Sequence, residues 1–231
     1  MNELHPLLTD IHLASTDQWV PVLPEETFLG GSAPRLRSFV LSGISFPTLH
    51  KFILSATHIT CLGLFNIPLS GYILGYIPPE VMATRLAALP NLEHLAIGFR
   101  FRSPIHRQIG LPPLAPAVLP SLTGLSFRGA SEYFEDLLAR AYTPQLNRLN
   151  ILFKDPIFDL PRLRNLIVRG EGLRPRSVAR VIFDLHKINI TLGSPPRIVL
   201  TILWEGWDGQ VSSLAQVCNQ NFPVLPSAQY M

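Results

Sequence analysis

Three arginines, Arg128, Arg148 and Arg169, stand out with Asn150, Asn165 and His94 in a chain of which only 15% is charged. A guanidinium is a planar fork of donors that can hold a carboxylate in a bidentate way, and arginine is enriched where protein partners dock. The chemistry open to this set is recognition. The other reactive residues form no catalytic pattern. His5, His12, His50, His58, His94, His106 and His186 include no pair with metal-ligand spacing flanked by acids or cysteines. "GEG" at 170–172 lacks the third glycine of a dinucleotide loop and runs into "LRPRS", and there is neither a G-x-S-x-G elbow nor a P-loop. The acid pairs Glu25/Glu26 and Glu135/Asp136 read as solvated faces of short helices. No catalytic residue, metal or cofactor is expected.

What would bring the six recognition residues together is a repeated word. "PRLRSFVLSG" at 34–43 returns as "PRLRNLIVRG" at 161–170, and the shared pattern is P-x-φ-x-x-φ-x-φ, with φ being Leu, Ile, Val or Phe. It recurs around seven anchors: Leu8, Leu36, Ile59, Leu92, Leu122, Leu146 and Leu163. Three positions on stand Ile11, Phe39, Leu62, Leu95, Leu125, Leu149 and Leu166. Two further on stand Leu13, Leu41, Leu64, Ile97, Phe127, Ile151 and Val168. Proline stands two before every anchor except Ile59, where Thr57 replaces it.

The φ-x-φ tail alternates with period two, the signature of a strand. Between the words lie helical segments: "TLHKFILSA" (48–56), "PPEVMATRLAALP" (78–90), with Val81, Arg85, Leu86 and Leu89 near helical spacing, and "SEYFEDLLAR" (131–140), with Ser131 as candidate N-cap and Asp136–Arg140 at i,i+4. The expected fold is therefore α/β: a leucine-rich-repeat solenoid of seven to eight units, with a parallel concave sheet and irregular helices and loops outside. Side chains between and after the last two φ positions face the concave surface. The early repeats put small or neutral residues there. The later ones put Arg128; Arg148 and Asn150; and Asn165 and Arg169, with His94 in the middle. Strands lie about 4.8 Å apart, so three adjacent repeats would place the arginines in a patch on the order of a nanometre wide. The plainer reading is that they are solvated residues of a solenoid face.

With these words in view, "PRLRSFVLSG", "LAALPNLEHLAI", "LPSLTGLSFRGASEYFEDLLARAYTPQLNRLNILF" and "EGWDGQVSSLAQVCNQNFPVL" resemble the leucine-rich-repeat region of fungal F-box-like proteins, as in the large basidiomycete sets. The resemblance covers most of residues 6–226 and implies the substrate-recognition arm of a ubiquitin ligase. The chain departs from that pattern in three ways. "LPEETFLG" (23–30) imitates the opening of an F-box, but a repeat begins at Pro34 and leaves no room for its helices. The Asn ladder of standard repeats is missing, its positions being Thr16, Ile44, Ile67, Arg100, Ala130, Lys154 and Glu171, so irregular turns and register are expected. Both ends look cut, as if the chain were an interior piece of a longer ancestor.

The expected organisation is a solenoid over 6–183, followed by an irregular continuation over 184–226. In the latter, "INITL" and "IVLTILW" form a hairpin and "VSSLAQVCNQ" a helix; at the end of the former, Val178, Val181 and Phe183 fit an eighth strand. The longest apolar runs are far short of the roughly 20 residues of a membrane helix, and the first residues lack a signal-peptide core. Cys61 and Cys218 make no disulfide framework, which suits a reducing compartment, cytoplasmic or nuclear. A net charge of +3 is small for a nucleic-acid binder. "GLPPLAPAVLP" (110–120) holds a P-x-x-P that reads more simply as a stiff loop. The functional expectation is a monomeric, non-enzymatic protein-interaction module with a protein partner. Basic-surface nucleic-acid binding, or a truncated product without a retained role, are the alternatives.

Overall fold

The computed structural model describes residues 8–16, 21–23, 28, 33–46, 49–67, 77–99, 116–154, 161–169, 172–173, 179–184, 187–193 and 198–203. Most of "LPEETFLG", the loop with Pro113, most of "GEG" and the helix expected over 211–220 lie outside these residues.

Five of the words, anchored at Leu36, Ile59, Leu92, Leu122 and Leu146, begin as a turn. The anchor amide donates to the carbonyl three residues back: Leu36 to Ala33 (3.1 Å), Ile59 to Ala56 (3.2 Å), Leu92 to Leu89 (3.2 Å), Leu122 to Leu119 (3.4 Å) and Leu146 to Thr143 (3.4 Å). Pro34, Pro90, Pro120 and Pro144 take the second place of these turns. There a locked φ near −65° is the required one and the missing N–H is not needed. The anchors themselves are buried. Past the turn the chain extends, and the two φ positions that follow drop into the core.

Six words thus become β1 (Asp10–Ala14), β2 (Ser38–Ser42), β3 (Cys61–Ile67), β4 (His94–Phe99), β6 (Gly124–Gly129) and β8 (Arg148–Lys154). They lie side by side in chain order, all parallel. Register follows the word: Ile11, Phe39, Leu62, Leu95, Leu125 and Leu149 are aligned neighbours. The two short strands β5 (Ala117–Val118) and β7 (Ala141–Tyr142) pair with each other in a separate ribbon.

Among the described strands, the irregular register expected from the missing Asn ladder is confined to one place, a shift between Leu64 and Ile67 of β3. Asn66 there adopts a left-handed φ of 52°, which asparagine tolerates, and its amide donates to Ser42 Oγ at 3.0 Å. Elsewhere a backbone device keeps order. The carbonyl just before each strand accepts two amides from the next word: Thr9 from Arg37 and Ser38, Arg37 from Thr60 and Cys61, Thr60 from Glu93 and His94. Glu93 in turn accepts from Thr123 and Gly124, and Thr123 from Asn147 and Arg148. The hydroxyls of Thr60 and Thr123 add bonds to the carbonyls of Arg37 (3.3 Å) and Glu93 (3.2 Å). Main chain and threonine together satisfy the backbone groups at the leading end of the strands.

Helices cover one face of the sheet: α1 (Leu49–Ser55), α2 (Pro79–Leu86), α3 (Ser131–Arg140) and α4 (Pro161–Arg169). The first three fall where the apolar spacing placed them, with two local differences. Ser131 is the first helical residue and not the cap; its hydroxyl bonds Glu132 and the residue is fully buried. On α2 the buried side is Met82, Ala83 and Leu86, leaving Val81 exposed. Between helices and sheet lie two aromatic groups. Phe28, Phe39, Phe46 and Phe52 have centroids 4.9–6.3 Å apart. Phe99, Phe127, Tyr133, Phe134 and Phe153 form the second, and the Tyr133 hydroxyl is satisfied by the Ile77 carbonyl at 2.8 Å.

The seventh word is not a strand. "PRLRNLIVR" is helix α4, which moves Asn165 and Arg169 off the sheet. Two physical reasons act together. After Lys154 only about ten residues remain before the expected strand, too few for the crossover a parallel neighbour needs; the word itself has to be part of the crossover. Its apolar residues also permit this, since Leu163, Leu166 and Ile167 share one helical face while Arg162, Arg164, Asn165 and Val168 are exposed. Pro161 sits at the first helical position, where it costs nothing. The carboxylate of Glu135 on α3 accepts the amides of Arg162 and Leu163, both at 2.9 Å, and caps the helix.

The place beside β8 is filled from further along the chain. The strands β9 (Ala179–Asp184), β10 (Lys187–Leu192) and β11 (Ile198–Leu203) form an antiparallel run, and β11 joins β8 in parallel. The sheet therefore has nine strands in the order β1-β2-β3-β4-β6-β8-β11-β10-β9. The expected hairpin of "INITL" and "IVLTILW" is present as β10 and β11. The segment holding Val181 and Phe183 is a strand, although it forms the antiparallel edge and is no eighth parallel copy.

Candidate functional site

Parallel sheets are ordinarily covered on both faces. Here, among the described residues, helices lie on one face only, and the other carries exposed His94, Arg128, Arg148 and Asn150. Period-two alternation decides which residues reach it. In β8, Leu149, Ile151 and Phe153 are buried, so Arg148 and Asn150 point the other way.

The register arranges this face in transverse rows. One row runs Cys61, His94, Gly124, Arg148; the next runs Gly63, Ala96, Ser126, Asn150, Val199. Apart from Gly63 they line a shallow depression of about 290 Å³, with His94, Ser126, Arg148 and Asn150 as its polar groups. A third row holds Phe65, Gly98, Arg128, Leu152 and Thr201 towards the other end of the strands.

Two glycines shape the surface. A Cβ on Gly124 would stand 2.7 Å from His94 Nδ1, so the imidazole of His94 leans across β6 over a position with no side chain of its own. This turns the ring away from Cys61 on the opposite neighbouring strand, and no hydrogen bond joins the two. A thiolate–imidazole nucleophile is therefore not built here. At Gly98 a Cβ would stand 3.5 Å from the Phe65 ring and 3.7 Å from Arg128 Cβ, so Phe65 and Arg128 flank this glycine, which is itself buried.

The face is basic without compensation. Among the described outward residues from β2 to β11 there is no carboxylate, and Arg128 and Arg148 make no ion pair. Glu93 lines a different groove of about 590 Å³ at the leading end of the strands, with Arg35, Arg37 and His58. Among the described residues no cluster of three or more His, Cys, Asp or Glu is placed to hold a metal ion, and no helix is long and apolar enough to cross a membrane.

Of the six residues singled out from the sequence, His94, Arg148 and Asn150 meet in the depression and Arg128 stands on the adjoining strand. Asn165 and Arg169 belong to α4, on the helical side of the sheet. Their expected place next to β8 is taken by Val199, Thr201 and Leu203. Thr201 is 8% exposed and donates to Asn189 Oδ1 at 2.7 Å, closing that end of the face with a neutral pair. Only the alternation of "IVLTIL" hinted at this strand; its partner could not be read from local sequence. No protein-family model, curated protein or solved structure matches the chain.

Proposed function

We propose that the chain is a degenerate leucine-rich-repeat solenoid that performs no chemistry of its own and binds a protein partner on the open face of its parallel sheet. The observation that carries this reading is the uncovered face itself, with Arg128, Arg148, Asn150 and His94 grouped on rigid strands and no acid among them. Apolar positions of the word stack into a shared core, leaving the intervening positions free to vary, which is how a repeat scaffold supports recognition. The resemblance to F-box-like proteins suggests a substrate-holding arm.

The test is affinity capture from native extract with the wild-type chain and Arg148→Glu. A partner retained by the wild type and lost with Arg148→Glu, at an unchanged thermal melt, supports the reading. Equal loss with Arg164→Glu, on the exposed side of α4, would sink it. Recovery of ligase adaptor subunits would overturn the reading of residues 23–30 as a segment between repeats.

A further inference from the structure

The open face repeats one small arrangement. Along one row the order is His94, Gly124, Arg148 on β4, β6 and β8; along the other it is Phe65, Gly98, Arg128 on β3, β4 and β6. Each is an aromatic ring, a glycine and an arginine on three neighbouring strands. In each, the arginine stands directly beside a residue without a side chain: Gly124 is the register partner of Arg148, and Gly98 that of Arg128. The His94 ring already lies over Gly124 and Gly98 is buried, so what each arrangement presents to a ligand is the exposed arginine, with an aromatic ring two strands away.

The two arrangements are displaced by one strand and four residues. With strands about 4.8 Å apart and a rise of about 3.3 Å per residue, the Cα atoms of Arg148 and Arg128 are about 14 Å apart. An extended peptide covers that distance in four residues, whereas four residues of helix cover only about 6 Å. Between the two arginines lie Ser126 and Asn150, aligned with each other across β6 and β8. They bring a hydroxyl and an amide to the middle of such a segment, where its backbone needs donors and acceptors.

We infer that the ligand of this face is an extended acidic segment of a partner protein with two carboxylates four residues apart, one held by each of Arg148 and Arg128. The inference rests on the proposed role of the open face and adds the partner's chemistry and spacing. Charge supports it: two unpaired guanidinium groups and no carboxylate on the described outward face from β2 to β11 leave the site complementary to an acidic chain.

The probes are labelled peptides of about a dozen residues, rich in Thr and Val to favour extension. They carry two Glu at i,i+4, two at i,i+2, or Gln at both sites, and binding is read by fluorescence anisotropy at low salt. The i,i+4 peptide should bind about tenfold more tightly than the i,i+2 peptide, because only it engages both forks. Arg148→Gln and Arg128→Gln should each remove that preference, while Arg164→Gln keeps it and all three keep the wild-type melt. Equal binding of the two acidic peptides, or indifference to Arg128→Gln, overturns the inference. Tighter binding of a single-stranded oligonucleotide of similar length would also overturn it, in favour of a nucleic-acid surface. If the peptides fail to discriminate but Arg148→Gln still abolishes capture of the native partner, the spacing falls and the proposed function stands. If capture is indifferent to both arginines, the proposed function falls as well.

Discussion

Proline has two structural meanings in this chain, and both come from the same two properties. In the turns at Pro34, Pro90, Pro120 and Pro144 it supplies the fixed φ of the second turn position. At Pro161 the same φ opens a helix. The first bend is compatible with either outcome, so later residues decide. Glu135 is one that decides at a distance, because its two oxygens satisfy the amides of Arg162 and Leu163. Glu135→Ala should lower stability by about 1 kcal/mol, the usual cost of losing a cap. Denaturant unfolding would show it. An unchanged midpoint would mean that α4 holds its first turn without α3.

At the scale of the element, the near-identical decapeptides at 34–43 and 161–170 are a strand and a helix. "SFVLS" alternates an apolar and a small or β-branched residue and buries Phe39 and Leu41. "LRNLIVR" has leucines and arginines that lose little freedom in a helix, and it buries Leu163 and Ile167 four apart. Asn165 is exposed on α4, so it reports the backbone state without disturbing packing. Helical structure predicts Asn165→Ala to be more stable than Asn165→Val by about 0.5 kcal/mol. A strand would rank them the other way. Thermal melts of the two variants, compared with each other, distinguish these outcomes.

For the whole molecule, the consequential step is the insertion of β11. The six parallel strands each pair with the preceding word, but β8 pairs with a strand that arrives after α4, β9 and β10. This closes the edge of β8 and buries Ile198, Leu200 and Ile202 in line with the core rows. Leu200→Ala should therefore cost about 2–5 kcal/mol, as for any buried leucine. Val199→Ala, on the open face, should cost far less. Hydrogen exchange should show the first variant deprotecting Leu149 and Ile151 of β8 as well as β11 itself. Loss confined to residues 198–203 would contradict the shared core.

The sequence by itself determined the word, its alternation and its turn, because these depend on contacts within a few residues: Pro two before the anchor closes a turn, and Leu149, Ile151 and Phe153 must face one way for Arg148 and Asn150 to face the other. That was enough to make His94, Arg128, Arg148 and Asn150 legible as neighbours on one surface. Tertiary structure alone decided the fate of the last copy. A pattern of Leu163, Leu166 and Val168 satisfies the strand template, and Leu163, Leu166 and Ile167 satisfies the helical one, so local periodicity could not choose. The short connection after Lys154, the Glu135 cap and the competing strand Ile198–Leu203 chose the helix. They took Asn165 and Arg169 away from the face and left Arg128 and Arg148 on it. A long-range pairing is worth the loss of chain entropy only when its partner is in place, and no window of ten residues contains that information.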